Sequence, residues 1–150
     1  MALNATLGRM NWSHAHATDI QMRFGDVDSL GHVNNVAYAQ YLETARIGFL
    51  NDLARRGVDF HLVIARLEVD YRHEVTLGQH VTVQLLVTRV GRTSFECAYR
   101  VLANGVLAAE ARSVQVNVDR AARRPQPLEG HVRAALLERL AMTGLETGTL

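Results

Sequence analysis

Between Asn35 and Arg56 the apolar residues do not keep to one stripe. Val36, Ala37, Tyr38, Ala39, Tyr41, Leu42, Ala45, Ile47, Phe49, Leu50, Leu53 and Ala54 spread around most of the circumference a helix would have. A helix apolar on most sides is stable only when other elements enclose it. At about 1.5 Å per residue it would be about 33 Å long, the width of a small domain. In a chain of 150 residues, a usual size for one domain, that helix is expected to be the axis of the fold. Asn34 or Asn35 can cap its start, and Gly57 can supply the left-handed residue that ends it.

The segments around it read as strands. Ala17 to Phe24 alternates Ile20, Met22 and Phe24 with Asp19, Gln21 and Arg23, the period of a half-buried strand. Phe60 to His73, Val81 to Val90, Ser94 to Leu102 and Val106 to Asp119 follow, with hairpin turns at Gly91 to Thr93 and Ala103 to Gly105. A polar loop holding both prolines leads to Leu128 to Leu140, where Val132, Leu136, Leu137 and Leu140 have helical spacing. The order is that of an α+β domain: an antiparallel sheet wrapped around one long helix, with a short C-terminal helix. Residues 1–16 are expected to be a flexible tail, 17–120 the domain, and 121–150 a loop and helix packed on it. The open sheet face and edges would be covered by a copy of the chain.

Composition excludes several partners. With 16 basic and 15 acidic residues the formal charge is +1, far from the dense basic face of a nucleic-acid binder. No run of about 18 apolar residues is present to enter a membrane. Cys97 is the one cysteine, which rules out an internal disulfide and fits a reducing, cytoplasmic setting. His14, His16, His61, His73, His80 and His131 show no compact ligand spacing beyond the first two, so no metal is expected.

Chemistry concentrates where the first strand meets the helix. Asp26 and Asp28 precede a helix N-terminus, whose unpaired N–H groups and dipole favour negative charge. A carboxylate there can attack an acyl carbonyl or activate water, while free N–H groups near Asn34 and Asn35 hold the oxygen that gains charge. The same residues can also do no more than cap a turn and a helix. Glu43 and Arg46 are spaced for a local ion pair.

The block RFGDVDSLGHVNNVAY at Arg23 to Tyr38, followed by LeuGluThrAlaArg at 42–46, resembles the signature of the hotdog-fold thioesterases of the 4-hydroxybenzoyl-CoA thioesterase-like family. That resemblance implies hydrolysis of an acyl-CoA, or less often acyl-carrier-protein, thioester. It implies a homodimer or a tetramer built as a dimer of dimers, with sites between subunits and no cofactor, CoA being part of the substrate. The position of the family's catalytic acid is Asp28, as nucleophile or general base, and that of its carbonyl-polarising N–H is Asn35, with Val36 beside it. His32 either donates to the thioester or closes the turn. Asn34 shapes the pocket, Tyr38 and Tyr41 are core or pocket wall, and Glu43 is a second candidate base. Arg89, Arg92 and Arg123, with neighbouring Arg120 and Arg124, are candidate partners for CoA phosphates. A non-catalytic acyl-CoA or acyl-carrier-protein binding protein is the alternative.

Overall fold

The computed structural model describes residues 7–145. Strand β1 (His16–Ile20) leads through a short 3-10 turn to helix α1 (Asn35–Arg55). Strands β2 (Leu62–Tyr71), β3 (Val81–Val90), β4 (Ser94–Ala103) and β5 (Val106–Asn117) come next, and helix α2 (Gly130–Ala141) closes the chain. The strands form one antiparallel sheet in the order β1-β3-β4-β5-β2. This is the expected hotdog architecture: the sheet curls around α1.

Alternation along the strands decides what faces the helix. Val81, Val83, Leu85, Val87, Phe95, Cys97, Tyr99, Val101, Ala109 and Ala111 point inward and pack against Ala37, Tyr38, Tyr41, Leu42, Ala45, Phe49 and Leu53. Strand β1 pairs only with Val81 to Leu85. Helix α2 packs on β3 and adds Leu136 to the same core. Asn34 begins α1 by accepting from the Ala37 N–H through its side chain, and Gly57 ends it with a φ of 82°.

The sheet encloses one face of α1 and leaves the other bare. Val36 and Ile47 are 63 % and 50 % exposed, so the enclosure expected from the sequence is half achieved by a single chain. Strand β2 lies at the sheet edge with Val63, Ile64, Leu67 and Tyr71 exposed. None of the helices among the described residues is long and apolar enough to cross a membrane.

Two local expectations change. Strand β1 stops at Ile20, because the Asp26 side chain accepts from the Arg23 N–H and draws Phe24 to Asp26 into a 3-10 turn, leaving Phe24 exposed. Of the N-terminal stretch expected to be loose, residues 7–15 pack on the outer sheet face. Leu7, Met10 and Trp12 bury against Leu86 and Ala98, the Trp12 indole donates to the Leu7 carbonyl, and Arg100 lies over the Trp12 ring. Residues 1–6 and 146–150 lie outside the described residues.

Candidate active site

The loop from Val27 to Val33 closes on itself. Val27 and Val33 form an isolated bridge, the Asp28 N–H donates to the His32 carbonyl at 2.8 Å, and Gly31 takes a φ of 81° to complete the turn. Only glycine enters that region without strain. The loop is then held from both sides. Asn34 donates to the Asp26 carbonyl through its backbone N–H (2.9 Å) and its side-chain amide (3.0 Å). The Val33 N–H donates to Val75 (2.7 Å), and His32 bridges to Thr76 in the segment joining β2 to β3.

Within this frame Asp28 uses one carboxylate oxygen for architecture. Its Oδ1 accepts from the N–H groups of Leu30 (2.9 Å) and His32 (3.1 Å). Among the described residues no donor meets Oδ2, and the residue is exposed. Turn-making therefore occupies one oxygen of the group and leaves the other open.

The start of α1 supplies the complementary charge. The Asn34 cap occupies the Ala37 N–H, whereas those of Asn35 and Val36 find no acceptor among the described residues. Unpaired N–H groups at a helix start carry the positive end of its dipole. An acyl oxygen placed there would gain hydrogen bonds as it gains charge.

Three further residues frame the site. His32 Nε2 is 3.2 Å from Glu74. Tyr71 donates from its hydroxyl to the Asn35 carbonyl at 3.2 Å, and the Tyr38 ring meets the Tyr71 ring edge-on at 5.0 Å. Tyr38 itself is buried and bonds the His73 carbonyl. Burial first, then the neighbouring Tyr71 and Glu74, pushes its phenol up, so it stays protonated as wall. Nothing in the sequence pointed to Glu74, since its pairing depends on how the β2–β3 connection folds back.

Asp26 is the buried member of the aspartate pair. Its Oδ2 accepts from Tyr41 (2.9 Å) and the Arg23 N–H (3.0 Å), and its Oδ1 from the Arg23 guanidinium (2.8 and 3.1 Å). Burial alone would raise this carboxyl, but the Arg23 N–H and guanidinium and the Tyr41 hydroxyl together hold it below its ordinary value.

The structure gathers Asp28, His32, Asn34, Asn35, Val36 and Tyr38 at one end of the barrel-like unit. Arg89, Arg92 and Arg123 are not there. Thr93 accepts from Asn117, Arg92 accepts from Leu128, and His61 accepts from Val118, so these arginines share the end where α1 stops. A helix of 21 residues separates the two ends by about 31 Å. Arg89 also lies 3.7 Å from Glu96. At that far end a cleft of about 320 Å³ is lined by Asp59, His61, Asn117, Arg120, Gln126 and Glu129.

The expected Glu43–Arg46 pair is replaced. Glu43 is exposed, while Arg46 turns beneath the helix and donates to the Tyr99 hydroxyl at 3.2 Å. From there a polar chain runs through Ser113 and Gln115 to the Cys97 thiol. Among the described residues no three His, Cys, Asp or Glu side chains gather as a metal site.

Comparison with known proteins identifies the family and the fold. Residues 22–136 match the model of the thioesterase-like superfamily. A predicted thioesterase from Bacillus stearothermophilus is 33% identical with a TM-score of 0.76, over 84% of this chain and 96% of its own. A thioesterase from Thermus thermophilus, solved with coenzyme A and zinc, is 35% identical with a TM-score of 0.74, over 85% of this chain and 95% of its own. A 1,4-dihydroxy-2-naphthoyl-CoA hydrolase of Synechococcus elongatus is 26% identical over 71% of this chain and 84% of its own. With the family model spanning most of its length and two thioesterase structures of 33% and 35% identity sharing its fold, the chain belongs to the thioesterase-like superfamily.

Proposed function

We propose that the protein hydrolyses an acyl-CoA thioester to the free acid and CoA, with Asp28 as the reactive carboxylate. One observation carries this reading: a single hydrogen-bonded loop leading into the first turn of α1 presents a carboxylate oxygen, Asp28 Oδ2, that meets no donor among the described residues, and in that first turn the N–H groups of Asn35 and Val36 meet no acceptor among them. The N–H groups receive the thioester oxygen. Asp28 then either attacks the carbonyl, expelling CoA thiolate as the acyl-aspartate anhydride forms, which water afterwards opens to the free acid, or takes a proton from a water that attacks the carbonyl and expels the thiolate directly. In this reading His32, paired with Glu74, gives a proton to the departing sulfur.

The working unit in this reading is a dimer. Edge strand β2 and the bare side of α1 expose Val36, Ile47, Val63, Ile64 and Leu67, a surface suited to a second copy. Antiparallel pairing of β2 with its own copy would bring the Leu62 end of one subunit beside the Tyr71 end of the other. The arginine-bearing cleft of one protomer would then adjoin its partner's Asp28 loop. That arrangement removes the 31 Å objection (about 1.5 Å per residue of α1) to arginines holding CoA phosphates.

The named substrate of the Synechococcus relative makes an aromatic acyl-CoA the first to try. The test is thiol release from a panel of aromatic and aliphatic acyl-CoAs, with calorimetric titration of CoA alongside. Turnover of a panel member supports hydrolysis; saturable binding without thiol release would replace it with the non-catalytic binding protein.

A further inference from the structure

We propose that Asp26 is a positioning residue for this site: through Tyr41 and Arg23, its buried carboxylate sets where Asp28 stands relative to the first turn of α1. The inference rests on the thioesterase reading and assigns a second aspartate to it.

Asp26 is 3 % exposed, and a carboxylate so placed is costly unless donors surround it. Its donors come from two elements. Arg23, before the loop, contributes a backbone N–H and a two-pronged guanidinium contact, and Gln40 of α1 accepts from that same guanidinium at 2.6 Å. Tyr41, in the second turn of α1, contributes its hydroxyl at 2.9 Å. A carboxylate that only capped the 3-10 turn would be satisfied by Arg23 alone. The bond to Tyr41 does something different: it fixes the loop to the body of the helix whose N–H groups receive the oxygen.

The main chain of Asp26 is anchored to the same helix, since its carbonyl accepts both the N–H and the side-chain amide of the Asn34 cap. Residues 27–33 then form a closed unit through the Val27–Val33 bridge and the Asp28 to His32 bond. That unit takes its position from two anchors, Asp26 on α1 and the contacts of Val33 and His32 with Val75 and Thr76. A shift of Asp26 relative to Tyr41 therefore displaces Asp28 from Asn35 and Val36 without breaking the loop. Displacements of about 1 Å can cost about 100-fold in rate. The carboxyl is held in its charged form by these donors, so the anchor is in place at neutral pH.

Tyr41→Phe deletes one hydroxyl and keeps the ring in the core. On the best acyl-CoA, kcat is expected to fall about 10-fold with KM within about two-fold, and Asp26→Asn is expected to lower kcat further. Combined with Asp28→Asn, Tyr41→Phe should cost no additional rate, because Asp26 acts only through Asp28. Amide exchange at Arg23 and Asn34, whose N–H groups bond Asp26, should quicken in Tyr41→Phe while the β4 amides stay protected. Unchanged kcat and unchanged exchange in Tyr41→Phe would overturn the proposal, as would an equal loss in the Asp28→Asn background. Absence of turnover in the unaltered protein would count against the thioesterase reading alone, leaving the exchange comparison to decide whether Asp26 anchors the loop.

Discussion

The hydroxyl of Tyr71, on the last residue of edge strand β2, donates to the carbonyl of Asn35, the first residue of α1, at 3.2 Å. The exposed sheet edge is thereby coupled to the helix turn whose N–H groups are proposed to receive the substrate oxygen. Tyr71→Phe retains the edge-on contact with Tyr38 and loses only this bond. Because Tyr71 is half exposed, the stability cost should be at the low end of about 0.5–1.5 kcal/mol. The kcat/KM should fall about 3- to 10-fold. Urea melts beside steady-state kinetics check both.

Asp28→Asn and Asp28→Ala separate the two jobs of one carboxylate. Asparagine keeps an Oδ1 that can accept from Leu30 and His32, so its melting temperature should stay close to that of the unaltered protein. Alanine removes the acceptor for both N–H groups and should cost about 1 kcal/mol as well. Thiol-release activity should fall about 1,000-fold or more in both. Full activity in Asp28→Asn would exclude the carboxylate as base or nucleophile.

How much of this was legible beforehand depended on the range of the interaction. The period-two runs and the apolar helix place every core strand, because alternation and helical spacing are local properties written into Val81 to Val87 or Phe95 to Val101. The loop was legible as a block of residue types, and Gly31, Asn34 and Asp28 each do what their chemistry suits. Contacts made by distant segments folding back were not legible: Glu74 on His32, Tyr41 on Asp26, Arg46 turned to Tyr99 rather than Glu43. Nor could spacing show that the arginines after β3 and β5 lie at the opposite end of α1 from Asp28, since that follows from the strand order.

Acid should loosen the loop before it unfolds the core. The Asp26 carboxyl lies below its ordinary value in the folded chain, so its contribution is fully present above the unfolded pKa of about 3.9. It is lost as pH falls through the lower folded value. The stability difference between the unaltered protein and Asp26→Asn should therefore be constant from about pH 5 to 7 and shrink below about pH 4. Urea titrations across that range measure it, and a difference that grew on acidification would contradict the assignment.

Cys97 should behave as an inert core residue. It is fully buried, and burial, opposed by Arg46, Gln115 and Tyr99, pushes its thiol up to about 12. Folding here favours the protonated thiol, so this contribution is intact below about pH 8.5 and is lost as pH rises toward the folded value. Iodoacetamide at pH 8 should leave the native protein unlabelled and react promptly in denaturant, with mass spectrometry as the readout.

The strictest test of the composite site is complementation. Arg120 lines the far cleft, about 31 Å along α1 from the Asp28 loop of its own chain, so it reaches a thioester site only if it serves the partner's. Arg120→Glu should then raise KM for acyl-CoA by about 10-fold or more, since a phosphate contact is replaced by a like charge, and should spare the hydrolysis of a short thioester lacking the nucleotide. Mixed after partial unfolding, Asp28→Asn and Arg120→Glu chains would form heterodimers in which one site carries both lesions and the other carries neither. Random assortment leaves about a quarter of all sites intact, so activity at low substrate should reappear in the mixture at about that fraction of the unaltered protein, although each parent is deficient. If both residues acted within one subunit, every site would keep one lesion and mixing would restore nothing.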